Sequence, residues 1–210
     1  IDRRDFLRLS GILGVGLAAA TAIPSSAEAV KFDRKLYKVS ETRLAMGTFV
    51  SMTLLHPSRD QAEKAIETAF EEIDRLTRNM SRFDQTTAIA QLNREGRLAD
   101  VPPDMVKVVR RALAYHRISN GAFDISVKPV VDLFKDKFSG KKPTPPTQKE
   151  MREALLLVDA SKIHFEGSAI VLKKPGMGIT LDGIAKGYIV DMASEVLSKH
   201  HIENYLINAG

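Results

Sequence analysis

Between Val39 and Leu76 the hydrophobic period of the sequence changes from two residues to nearly four, and no other feature constrains the fold as strongly. Residues 39–56 alternate on either side of Met46-Gly47-Thr48, with Phe49, Ser51, Thr53 and Leu55 on one face. That pattern predicts a strand pair joined by a tight, glycine-dependent bend. Ser58-Arg59-Asp60-Gln61 then reads as a capping box, and Ala62, Ala65, Ile66, Ala69, Phe70, Ile73 and Leu76 recur at helical spacing. A hairpin followed at once by an amphipathic helix needs a shared core, so the chain must fold with helices laid against sheets.

The rest of the chain continues in the same way. A second helix is expected after Pro102-Pro103, running through Met105, Val108, Val109 and Ala112 to His116, with Asn120-Gly121 as its left-handed stop. Lys135 to Thr147, rich in Lys and Pro, reads as an exposed loop, and Thr147 with Glu150 opens a third helix through Leu157. Residues 162–182 alternate as strands broken at Glu166-Gly167 and Pro175-Gly176. A helix from Ile184 to Lys199 and a strand from Tyr205 to Asn208 follow. Strands and packed helices without an internal repeat or linker indicate the α+β class, with mixed or antiparallel sheets covered by helices.

Composition removes several functions. The chain has no cysteine, which excludes a disulfide scaffold, a thiolate metal site and a cysteine nucleophile. Its formal charge of +5 resides wholly in residues 30–210, because Arg3, Arg4 and Arg8 cancel Asp2, Asp5 and Glu28. The lysines are scattered apart from a run at Lys135 to Lys142, and no nucleic-acid motif accompanies them. The expected partner is therefore not nucleic acid; a scattered excess of this size fits solubility or attraction to a phosphate-bearing ligand.

The first 29 residues read as an export signal. Arg3-Arg4-Asp5-Phe6-Leu7-Arg8 resembles the twin-arginine pattern, and no charge follows until Glu28. Leu9 to Ile23 approaches the length of a membrane span, but Ser10, Gly11, Gly14, Gly16 and Thr21 weaken it as a permanent anchor. Ala27-Glu28-Ala29 supplies a small-x-small cleavage site. The expectation is cleavage after Ala29 and delivery to the periplasm by the twin-arginine machinery, which carries folded proteins.

Chemistry gathers in a few segments. Thr180-Leu181-Asp182-Gly183-Ile184-Ala185-Lys186-Gly187-Tyr188 predicts a strand entering a helix near Gly183, with Lys186 on the first turn. Unpaired N–H groups and a lysine there suit a phosphate. Asp182 or Thr180 could order a cation or a ribose hydroxyl. The P-loop pattern is absent, since the glycine spacing differs and neither Ser nor Thr follows the lysine. A helix in which Gly187 simply permits close packing fits the spacing equally well. In Asn120-Gly121-Ala122-Phe123-Asp124, Asp124 could accept hydrogen bonds from a ligand, although a helix stop with Phe123 in the core explains the segment by itself. Ser81-Arg82-Phe83-Asp84, leading to Asn93, is another polar turn where a packed Phe is the simpler reading.

Taken in order, Met46-Gly47-Thr48, Ser81-x-Phe83 with Asn93, Gly121-Ala122-Phe123-Asp124 with Pro129, Gly183 to Tyr188 with Asp191, and Asn208-Ala209-Gly210 resemble the ApbE family of FAD:protein FMN transferases. Thr180-Leu181-Asp182 is most similar to its NosX branch, associated with maturation of the nitrous oxide reduction system. Most relatives carry Asp where this chain has Thr180. The resemblance implies an ApbE-like fold for residues 30–210 and FAD as substrate. A Thr or Ser hydroxyl of a client flavoprotein would attack the FMN phosphorus with Mg2+ present, and AMP would leave. It places Met46, Phe83 (usually Tyr), Ala122, Phe123, Asp124, Thr180 and Lys186 at the FAD, and the Gly183 carbonyl at magnesium.

Further magnesium ligands in relatives, an Asp and a Thr, lie after the Asn-Ala-Gly motif. This chain opens at Ile1 and stops at Gly210 inside that motif. The expectation is an N-terminal part of such a transferase, truncated at the C-terminus, with no general base to name, at best a weak flavin binder and inactive in transfer by itself. Two readings stand beside it: a periplasmic FAD-binding or electron-transfer protein that holds FAD without transferring it, and a non-enzymatic maturation factor needing neither FAD nor magnesium.

Overall fold

The computed structural model describes residues 28–32, 35–139 and 143–210. The expected export signal lies, up to residue 27, outside the described residues. Strand β1 (Glu28–Lys31) leads into the hairpin β2 (Tyr37–Ala45) and β3 (Thr48–His56). All nine residues of β2 pair antiparallel with β3, from Tyr37 opposite His56 to Ala45 opposite Thr48. The turn is closed by Met46 at φ 51° and Gly47 at φ 74°, the two positive angles that match a two-residue hairpin to the strand twist. Helix α1 (Arg59–Met80) begins where Ser58 accepts the Gln61 N–H. Its buried stripe, which includes Ile66, Phe70, Ile73 and Leu76, lies on the inner face of the hairpin, where Val39, Val50, Met52 and Leu54 are fully buried. Each such side chain contributes roughly 1.5–3 kcal/mol relative to exposure.

Helix α2 (Ala88–Glu95) and the two-residue β4 (Arg97–Leu98) follow, then α3 (Pro103–Ile118), α4 (Lys128–Phe138) and α5 (Gln148–Leu155). Strands β5 (Ile163–Glu166) and β6 (Ala169–Leu172) precede α6 (Ala185–Lys199) and β7 (Asn204–Asn208). The strands form two antiparallel sheets, ordered β1-β2-β3-β7 and β4-β6-β5. Helices α1 and α6 pack along one another above the first sheet. No helix among the described residues is long and apolar enough to cross a membrane.

Several local expectations are corrected. The extended run after Asp124 is instead a 3-10 turn (Ile125–Val127) that passes into α4. Pro129 at the start of α4 fits that first turn, where a missing N–H costs no bond. The exposed loop expected from Lys135 is helical to Phe138, because lysines favour helix and the prolines begin only at Pro143. Beyond Pro175-Gly176 there is no third strand. Residues 177–181 are irregular, held by the Asn93 side chain and by a bond from the Thr180 N–H to the Ile125 carbonyl (2.8 Å). Asn93 itself sits in α2, a helix bounded by the Thr87 cap and left-handed Gly96, and not in a polar turn.

Strand and helix lengths position the functional end of this layer. A nine-residue strand spans roughly 30 Å and a 22-residue helix about 33 Å, so α1 returns from the far end of β3 to the hairpin tip. Helix α6 starts at the same end, and β7 comes back antiparallel to β3. Gly210 is thereby brought against the Thr48 side chain, beside the hairpin turn.

Candidate functional site

At that end a cleft of about 470 Å3 opens, with Met46, Met80, Phe83, Asp182, Lys186 and Ile189 among its walls. Met46 comes from the hairpin turn, Met80 from the last turn of α1 and Phe83 from the loop after it. Asp182 precedes α6, and Lys186 and Ile189 lie in its first turns. Three of the residues that the resemblance assigns to FAD, Met46, Phe83 and Lys186, therefore share one cavity, together with Asp182. The Phe83 ring is 65% exposed, with the Arg82 guanidinium 4.6 Å and the Lys135 ammonium 5.5 Å from its centre. An aromatic face so placed, beside a thioether and a lysine, offers stacking for a planar ring and a charge for a phosphate. The exposed Lys186 Nζ also donates to the Ala209 carbonyl (3.2 Å), tying α6 to the end of β7.

The other sequence candidates are placed differently. Thr180 is 7% exposed, and its hydroxyl accepts the Asp182 N–H at 3.2 Å. The carboxylate that this segment turns to the cleft belongs to Asp182, whose Oδ2 accepts from Arg82 Nε at 2.6 Å. Gly183 lies in the turn before α6, which begins at Ala185. A Cβ on Gly183 would come within 3.2 Å of the Phe123 ring, so the missing side chain is what lets the two segments touch. On that side a smaller groove of about 260 Å3 runs between Tyr115, Gly183, Tyr188 and Asp191. Ala122 is exposed at its turn. Asp124 is engaged internally: Oδ1 accepts from the Ser126 N–H (2.7 Å) and hydroxyl (2.6 Å), while Oδ2 lies 3.4 Å from His116 Nδ1. A Cβ on Gly187 would meet nothing within 4 Å, so close packing is not the reason for a glycine there.

Tyr188 locks α6 to α3, its hydroxyl donating to Asp104 Oδ1 at 2.7 Å while Arg75 of α1 holds Oδ2 at 2.8 Å. Burial and the Asp104 carboxylate together push the Tyr188 hydroxyl well above its ordinary pKa. Burial works against Asp104, but the bonds from Tyr188 and Arg75 outweigh it and keep the carboxyl below its ordinary range.

Among the described residues no group of three or more His, Cys, Asp or Glu could hold a metal ion. Among the described residues the candidate oxygen donors near Gly183 are its carbonyl, the Asp191 carboxylate of the same groove, and the Asp182 carboxylate, which Arg82 already occupies. Magnesium favours a near-octahedral oxygen shell, and these donors do not supply one.

Arg82 is the residue that sequence reasoning passes over. Its side chain is 9% exposed and bridges Asp182 and Asp132 (3.2 Å). Those partners lie 100 and 50 residues away, and no periodic or motif signal connects them.

The architecture is that of known flavin transferases. It superimposes on the flavin transferase ApbE from Vibrio cholerae with a TM-score of 0.74 at 22% identity, covering 88% of this chain and 58% of that one. The ApbE protein from Thermotoga maritima gives 0.69 at 25% identity, over 82% of this chain and 57% of the other. The model of the ApbE family matches residues 46–210, and the chain belongs to that family. Among curated relatives, the FAD:protein FMN transferase of Haemophilus influenzae is 27% identical over 96% of this chain and 59% of its own length. That of Treponema pallidum is 26% identical over 84% and 51%. The chain thus spans about half the length of the curated relatives it matches.

Proposed function

We propose that this chain forms the flavin-nucleotide-binding part of a periplasmic FAD:protein FMN transferase. The observation that carries the reading is the single cleft in which Met46, Phe83 and Lys186 meet from three distant segments. In this reading the cleft takes FAD, with Met46 and Phe83 against its rings and Lys186 at the diphosphate, near the start of α6. A Thr or Ser hydroxyl of a client flavoprotein attacks the FMN phosphorus. A new P–O bond forms to the client, the hydroxyl proton passes to solvent, the bond from that phosphorus to the AMP oxygen breaks, and AMP leaves with the electron pair. Charge developing on the diphosphate oxygens is met by Lys186 and helix N–H groups. Magnesium, implied by the family resemblance, would need oxygen ligands beyond those around Gly183, and no step above depends on it.

Incubating the full-length transferase of which this chain forms part with FAD and a client carrying Thr or Ser tests the proposal. The expected result is AMP release matched by an FMN phosphoester on the client. Retained FAD without AMP would make the protein a carrier, and failure to bind FAD would remove both readings.

A further inference from the structure

We infer that Arg82 is a positioning residue for the cleft, acting on a bound anionic nucleotide by neutralising Asp182; this rests on the reading that the cleft takes FAD. A guanidinium withdrawn from water is costly unless paired, and Arg82 is paired on two sides. The two sides are not equivalent. Asp132 also holds Lys128, so it keeps a cation if Arg82 is removed. For Asp182, Arg82 is the ion-pair partner among the described residues.

Asp182 and Lys186 line the same cleft, whereas Arg82 is not among its lining residues. With Arg82 in place the carboxylate is balanced, and the charge of Lys186 stands available to a polyanion. Without Arg82, an unpaired carboxylate that is 45% exposed would oppose a diphosphate in the same cavity.

A double-mutant cycle on FAD affinity decides the matter, with Tm followed to confirm folding. Arg82→Gln should weaken FAD by about tenfold, and Asp182→Asn alone by no more than about threefold. The double variant should bind within about threefold of Asp182→Asn, because a neutral amide in place of the carboxylate leaves nothing for Arg82 to balance. A scaffold role for Arg82 predicts the opposite, a double variant at least as weak as Arg82→Gln. Either that result or unchanged affinity in Arg82→Gln would overturn the inference. If Arg82→Gln does not fold, Asp182→Asn still decides: a loss of tenfold or more would make the carboxylate itself the ligand contact and end the neutralising role, and a small loss supports it. Absence of FAD binding by the unmodified protein would overturn the functional reading and this inference with it. Normal binding without rescue overturns only the inference.

Discussion

The side-chain amide of Asn93 clasps the backbone of Ile179 on both sides, Nδ2 donating to the carbonyl at 2.9 Å and Oδ1 accepting the N–H at 2.7 Å. It stands in for a neighbouring strand that the irregular segment 177–181 lacks, and so sets the path by which the chain reaches Asp182 and the cleft. Both groups of Ile179 are buried, and leaving them unpaired costs more than the bonds themselves contribute. Asn93→Ala should destabilise the fold by about 2–4 kcal/mol in urea denaturation, at two lost bonds of about 1–2 kcal/mol each. A loss below about 0.5 kcal/mol, the usual scatter of surface substitutions, would show that the clasp is replaceable by water.

Met46 holds φ 51° at the hairpin turn while its side chain lines the cleft. A non-glycine residue there costs about 1 kcal/mol or more in backbone strain. Met46→Gly relieves that strain but gives up a partly buried side chain packed on the core, so the two effects should nearly offset and stability should change by less than about 1 kcal/mol. FAD affinity should fall by about two- to tenfold through the lost thioether contact. Equal FAD affinity in the two proteins would remove Met46 from the binding surface.

Stability toward acid should depend in part on the cap of α5. The Lys137 ammonium beside Glu150, together with the Thr147 N–H and hydroxyl, holds its carboxyl down at about 2. An ordinary glutamate titrates near about 4.3. The folded pKa is the lower one, so this contribution is complete above about pH 4.3 and is lost as pH falls toward 2. Glu150→Gln should therefore flatten the fall of Tm between about pH 5 and pH 2. Glu166, held at about 2 by Lys173 and Arg97, keeps part of the slope in both proteins. Parallel Tm curves would show that Glu150 is no better bound in the folded chain than in the unfolded one.

Export should require the arginine pair. Arg3→Lys combined with Arg4→Lys is expected to leave uncleaved precursor in the cytoplasm, detected by cell fractionation. The expected cut after Ala29 falls inside β1, which pairs Glu28 with Ser40 and Ala29 with Val39, so cleavage there would shorten that strand by half. Normal delivery of the double variant to the periplasm would rule out the twin-arginine route.

What the sequence makes legible follows from how local each signal is. The β2–β3 hairpin, α1, α3 and α6 announce themselves by period, cap and stop within their own residues, and the structure has them within a residue or two. Helix α2 carried usable marks, Thr87 before it and Gly96 after it, but with only eight residues its apolar period is too short to stand out. Helix α4 is hidden because Pro129 reads as a break unless the turn before it is known to be helical. The meeting of Met46, Phe83 and Lys186 depends on matched strand and helix lengths. The Arg82–Asp182 pair depends on a charge contact across 100 residues, which has no sequence period at all.

Lys186 carries the sharpest test of the cleft. Its position in the first turn of α6, facing the cavity, motivates a contact with the FAD diphosphate. A charge-assisted hydrogen bond of this kind contributes about 1.5–3 kcal/mol, so Lys186→Ala should weaken FAD by roughly 10- to 150-fold. Since Nζ also donates to the Ala209 carbonyl, the substitution removes a tie between α6 and β7, and Tm separates the two consequences. If the lysine serves the ligand, the loss of affinity exceeds any change in Tm and shrinks as salt is raised, because screening already weakens the charge in the unmodified protein. Lys186→Arg should restore most of the affinity, as it keeps the charge and a donor within reach of the same oxygens. Unchanged FAD affinity in a folded Lys186→Ala protein would reduce the residue to a tether for the end of β7, and the diphosphate would have to be placed elsewhere.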